Sequence, residues 1–177
     1  MRPTDLGWVS RAQAVFAEGE RSEARLIHMR ILEERIAIEA GTERVWAILA
    51  DFGDVSSWAP YMKSSQLVGA QNSGVGTRRA MRHAWGFRFE ECVTQWHEGH
   101  GYAFDVLKAP FPMRDVKETW ALTAENGHTV LATQVRYGMR LGPLGRLLDW
   151  GLVRFVVRRE MRAGLEGLKR FAERVSD

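Results

Sequence analysis

The chain has 177 residues, 45% of them apolar and 27% charged, a length and balance that fit one domain able to bury a core without covalent staples. Its single cysteine, Cys92, excludes an intramolecular disulfide and a cysteine-rich zinc site. No run approaches the roughly 18 apolar residues that span a bilayer, and residues 1–20 carry Asp5, Glu18 and Glu20 where a leader would carry a basic end and an apolar block, so a cytoplasmic protein is expected.

Net charge is +3, with the excess at the end of the chain: residues 136–177 hold ten Lys/Arg against five Asp/Glu. Such a surplus either attracts an anionic partner or marks a solvated helix face. Seven tryptophans are many for this length, and they serve equally to fill a core or to line a cavity.

In chain order, residues 1–30 are expected to form an arm outside a domain of residues 31–177. Leu6, Val9 and Phe16 give that arm at most a short amphipathic helix ending at Gly19. From Leu32, the apolar Ile36 and Ile38 alternate with Glu33, Arg35 and Glu39, the period of a strand with one buried face, which ends at Gly41. Thr42 is a suitable N-cap for a helix carrying Val45, Ile48, Leu49 and Phe52, stopped by Gly53, and a second short helical turn is predicted near 54–58.

After Pro60 six strands are predicted, at 65–68, 76–83, 87–96, 102–108, 116–123 and 129–139, separated by the turn segments QNSG, AWG, HEGHG, APFP and ENGH. Gly142 and Pro143 then introduce one long helix to about 174, with a stripe of Leu144, Leu148, Leu152 and Phe155, and later Leu165, Leu168 and Phe171. Its first half is apolar on nearly every side, so more than one side should be covered. A long helix after a meander of strands must bury its stripe against the sheet, which predicts an α+β fold.

This order, with ERVWAILADFGDVSSWAP at 43–60, GVGTRR at 74–79 and TQWHEG at 94–99, resembles the START-like, or SRPBCC, superfamily, and within it the polyketide cyclase/dehydrase branch. The resemblance covers about 32–173. It implies a helix-grip fold: a curved antiparallel seven-stranded sheet wrapped around a long C-terminal helix, with two short helices between the first and second strands. It also implies an internal cavity. The superfamily includes lipid carriers, hormone-binding proteins and aromatase/cyclases, so the fold does not fix the activity.

Placing the apolar phase of each strand inward gives Met81, Phe87, Phe89, Val93, Phe104, Val106, Trp120, Leu122, Leu131, Val135 and Tyr137, with Leu148, Leu152 and Phe155 added by the helix. These residues either line an apolar pocket or pack solidly. The same phase turns polar Arg79, His83, Glu91, Gln95, Lys108 and Glu118 inward, where they require partners or a ligand. His83 and Glu91 are candidate catalytic residues, as a pair in which the carboxylate orients the imidazole. Trp58, Tyr61 and the loop carrying Phe111 and Met113 are expected at the mouth of the cavity.

No metal or cofactor is expected. HEGH at 97–100 lacks the HExxH spacing, and GVGTRR precedes a strand where a phosphate loop would precede a helix. The arginines come without the aromatic ladder of a single-strand groove, so no nucleic-acid partner is expected. Three functions follow: binding of a lipid, isoprenoid, aromatic polyketide or quinone-like molecule; polyketide cyclisation by acid/base residues of the cavity; or lipid carriage with peripheral membrane contact through residues 140–159 and the APFPM loop. Oligomeric state is left open.

Overall fold

A computed structural model describes residues 29–174. Seven strands make one antiparallel sheet: β1 (Met29–Ile38), β2 (Met62–Val68), β3 (Arg78–His83), β4 (Arg88–His97), β5 (Gly101–Lys108), β6 (Met113–Glu125) and β7 (His128–Met139). Their spatial order is β1-β7-β6-β5-β4-β3-β2, a meander whose last strand is joined by the first. Between β1 and β2 lie α1 (Thr42–Ala50) and a short 3-10 helix (Phe52–Ser57). After β7 comes one continuous helical run: α2 (Gly142–Leu148), a π turn (Asp149–Val153) and α3 (Arg154–Glu173). The predicted α+β helix-grip architecture is therefore present, with the sheet curved around the C-terminal helix.

Local expectations needed adjustment. β1 begins at Met29, inside the segment assigned to the arm; the short helix expected within residues 1–19 lies outside the described residues. Gly41, not Thr42, takes the N-cap position of α1, in extended conformation, and the Thr42 hydroxyl sits 3.3 Å from that of Thr129. α1 stops at Ala50, before Gly53.

Two apolar clusters fill the space between sheet and helices. The larger joins Val45, Trp46 and Leu49 of α1 to Phe52, Trp58, Tyr102, Phe104 and Leu122, and to Leu165 and Leu168 of α3. The smaller gathers Leu32, Val116, Val135, Tyr137, Met139 and Met161. Two glycines bring α3 down onto the chain that leaves the 3-10 helix. A Cβ on Gly167 would stand 2.0 Å from the Trp58 carbonyl oxygen, and one on Gly164 would stand 2.8 Å from the Tyr61 hydroxyl. At Gly167 only glycine admits so close an approach of backbone to helix.

Candidate functional site

Where the two clusters meet, sheet and helical run part and enclose a cavity of about 330 Å³, within the range of small-molecule sites. Its walls combine side chains from both clusters, Trp58, Met81, Phe104 and Trp120 on one side with Val116, Val135 and Met161 on the other. Lining residues that also reach solvent, Trp85, Phe87, Phe111, Leu148 and Leu152, mark the mouth between the β3–β4 turn, the loop before β6 and the helical run. Trp58 is not at that mouth. It is buried at the closed end, its ring edge-on to Trp120 at 5.6 Å between centroids. Its indole Nε1–H is buried with no protein acceptor in reach.

Most of the residues predicted from the sequence border this space: Trp58, Tyr61, Arg79, Met81, His83, Phe87, Phe89, Glu91, Phe104, Met113, Glu118, Trp120, Leu148 and Leu152. Three do not. Lys108 is turned outward, its side chain 73% exposed and paired with Glu90 on the convex face. The cause is a β-bulge: Glu91 pairs with Val106 but Glu90 pairs with Lys108, so Leu107 is an extra residue and the alternation flips beyond it. A second bulge on β4 lets Val93 pair with Phe104 and Gln95 with Ala103, which brings Trp96, and not Gln95, onto the inner face, stacked on Tyr102.

Tyr137 is buried, yet its hydroxyl donates to Asp149 Oδ1 at 2.5 Å, away from the cavity, and Arg30 holds the other carboxylate oxygen. Phe155 is 58% exposed, beneath the Arg154 guanidinium. The π turn adds a residue to the helix and rotates everything after it, so the inward stripe passes to Val156, Val157, Glu160 and Met161.

The polar groups of the cavity form two sets. Arg79 and Glu91 are direct partners in the β3–β4 register and make a buried ion pair, Nε to Oε2 at 2.7 Å. The guanidinium also donates to the Phe52 carbonyl oxygen at 2.9 Å and lies 3.9 Å from the Phe52 ring centroid. Burial alone would lower Arg79, but the Glu91 carboxylate outweighs it and holds the arginine above its ordinary value. Glu118, on β6, accepts from the Thr133 hydroxyl at 3.0 Å. Burial first, and then the negative charge of Glu91, push its carboxyl up to about 7.

The second set is His83 and Glu160, with Nε2 3.0 Å from Oε1. The expected pairing of His83 with Glu91 is absent because Glu91 is already held by Arg79, whereas His83 sits at the end of β3 facing the helix. Its Nδ1 accepts the Trp85 backbone N–H at 3.0 Å, so the imidazole proton lies on Nε2 and points at Glu160. With both ring nitrogens occupied, His83 has no lone pair to offer a substrate. Glu160 escaped the sequence reading because alternation along a strand does not reveal a partner supplied by a helix. Burial, relieved in part by His83, raises its carboxyl.

Among the described residues no group of three or more His, Cys, Asp and Glu is placed to hold a metal, and no helix is long and apolar enough to cross a membrane. Several solved structures share the fold. TTHA0849 from Thermus thermophilus superposes with a TM-score of 0.70 at 20% identity, covering 84% of this chain and 100% of its own. Ara h 8.0201 gives 0.66 at 14% identity, covering 81% of this chain and 97% of its own. An uncharacterized protein from Bacillus thuringiensis gives 0.65 at 17% identity, covering 81% and 98%. No curated protein matches the sequence. The model of the family described as polyketide cyclase / dehydrase and lipid transport matches residues 29–173. With that match added to the seven-stranded sheet gripping its C-terminal helix, the chain belongs to the polyketide cyclase/dehydrase and lipid transport family of the START-like, or SRPBCC, superfamily.

Proposed function

We propose that this protein binds and carries a neutral, largely apolar molecule of isoprenoid, polyketide or quinone-like character in its internal cavity. The observation that carries the reading is the charge of the lining. Among the described residues Arg79 is the only lysine or arginine of the lining, and Glu91 together with the Phe52 carbonyl already holds it. With Arg79 paired to Glu91, the lining keeps no unpaired lysine or arginine to meet a carboxylate or phosphate, and any ionised Glu118 or Glu160 would repel one. A ketone, quinone or hydroxyl oxygen suits the protonated form of the Glu118 carboxyl as donor. Desolvation supplies the affinity, at about 25 cal/mol per Å² of apolar surface buried. A cytoplasmic location fits a lone free cysteine.

The test is native mass spectrometry of protein purified from its own host, followed by denaturation and identification of what is released. A neutral apolar compound is expected, together with its loss from Val106→Trp, which fills the cavity. A fatty-acid carboxylate as the main occupant would overturn the reading. Glu118 supports a second reading, a cofactor-independent polyketide aromatase/cyclase, since a carboxyl held near 7 can both donate and accept a proton. Cyclised or dehydrated product from a poly-β-keto substrate, lost in Glu118→Gln, would establish it; His83 and Glu91, the residues first singled out for this role, are both engaged elsewhere.

A further inference from the structure

The helical run beside the cavity mouth exposes large apolar side chains to an unusual degree: Leu144 64%, Leu147 63%, Trp150 62% and Phe155 58%. Phe111, at 70% exposed, lies across the mouth from them. Isolated exposed apolar residues are ordinary, but a set concentrated on one short helical stretch marks a surface that something covers. The surroundings identify the chemistry of that partner. The segment from Arg140 to Arg159 carries Arg140, Arg146, Arg154, Arg158 and Arg159, while the one carboxylate within it, Asp149, is buried against Tyr137 and Arg30. Arg158 also pairs with Glu34. Arg114, Arg140 and Arg146 line a hollow with Leu141 and Pro143 directly before this stretch, Arg114 also holding Asp115. Arg154 spreads over the Trp150 and Phe155 rings.

We propose that this face docks on an anionic phospholipid bilayer, with Leu144, Leu147, Trp150 and Phe155 entering the headgroup region and the flanking arginines meeting lipid phosphates. Tryptophan, leucine and phenylalanine bordered by arginine is the composition that settles at a membrane interface. A second copy of the chain is a poor occupant, because a two-fold contact would set this group of arginines against itself. Leu148 and Leu152 belong to both the patch and the cavity wall, so docking presents the mouth to the bilayer interior, where a neutral apolar ligand dissolves. The surface stands on exposure and charge, independently of what the cavity holds.

The full-length protein is sedimented with phosphatidylcholine vesicles and with vesicles of phosphatidylcholine and phosphatidylglycerol. Binding is expected to the anionic vesicles and to weaken as salt is raised. Arg140→Glu should reduce it by about fivefold or more, and the Leu144→Glu/Trp150→Glu double variant by about tenfold or more. None of these three residues lines the cavity, so native mass spectrometry should find the same bound molecule in every variant, and thermal unfolding should show the fold intact. Equal binding to neutral vesicles, no binding to anionic ones, or no loss in the double variant overturns the proposal. So does a dimer at micromolar concentration that the double variant dissolves. Wild-type protein that retains its bound molecule but does not bind anionic vesicles is failure of this surface alone, and wild-type protein that binds the vesicles but carries no apolar molecule is failure of the cavity reading alone.

Discussion

His83 on β3 reaches Glu160 on α3, Nε2 to Oε1 at 3.0 Å, and so ties the sheet to the helix along the cavity wall. Because the Trp85 backbone N–H occupies Nδ1, the bond has one polarity, with imidazole as donor and carboxylate as acceptor. Glu160→Gln keeps a carbonyl acceptor and should cost less than about 1 kcal/mol, whereas Glu160→Ala strands a buried N–H and should cost about 1–3 kcal/mol. Urea unfolding of the two variants checks the difference. Equal losses would mean that the contact adds nothing beyond the bulk of the side chain.

Arg79 and Glu91 form a charge pair in which both side chains are nearly fully buried. Arg79→Met leaves Glu91 unpaired among aromatic rings and should destabilise the fold by about 3–5 kcal/mol. Arg79→Met combined with Glu91→Leu removes both charges and should recover much of that loss. A double-mutant cycle by chemical denaturation measures it. A double variant as unstable as the sum of the single ones would show that the two charges do not depend on each other.

Glu118 gives the protein a pH dependence of predictable sign. Its carboxyl stands at about 7 in the fold against an ordinary 4.5. Between those values the folded chain keeps a proton that the unfolded chain releases, so stability falls as pH rises through the window and the full penalty is present above about 7. Glu160 is raised as well and contributes in the same direction. Glu118→Gln should therefore be more stable than wild type at pH 8, by on the order of 3 kcal/mol, with little difference below pH 4.5. Unfolding free energies measured across that range test the slope, and parallel curves for the two proteins would refute the assignment.

How far the site was legible depended on where regular periodicity held. β3 keeps strict alternation, so Arg79, Met81 and His83 all face the cavity as their spacing predicts. On β5 the alternation holds through Val106 and fails at Lys108, because the bulge at Leu107 leaves no composition signal in a strand without glycine there. The helix shows the same limit: Leu148 and Leu152 follow the 3.6-residue stripe, and Phe155 departs from it because the π turn changes the count. The apolar excess on this helix predicts covering on more than one side, whereas the fold leaves Leu144, Leu147, Trp150 and Phe155 exposed beside the mouth. Partners from distant elements, Glu160 for His83 and Asp149 for Tyr137, were beyond any single-segment periodicity.

The glycines of α3 offer a test of how the closed end of the cavity is built. Replacing a helical glycine with alanine ordinarily stabilises by about 1 kcal/mol. At Gly167 the added methyl would meet the Trp58 carbonyl oxygen at 2.0 Å, a backbone atom that cannot yield without moving the Trp58–Pro60 segment. Gly167→Ala should therefore destabilise by about 2 kcal/mol or more despite the gain in propensity. At Gly164 the nearest atom, at 2.8 Å, is the hydroxyl at the tip of the Tyr61 side chain, which lines the cavity. Gly164→Ala should leave stability within about 1 kcal/mol of wild type, the methyl's strain offsetting its propensity, while displacing Tyr61 and weakening ligand retention. Thermal unfolding paired with native mass spectrometry of both variants reads the two effects separately. If Gly167→Ala proved as stable as Gly164→Ala, the close approach of α3 to Trp58 would not be what fixes the closed end of the cavity.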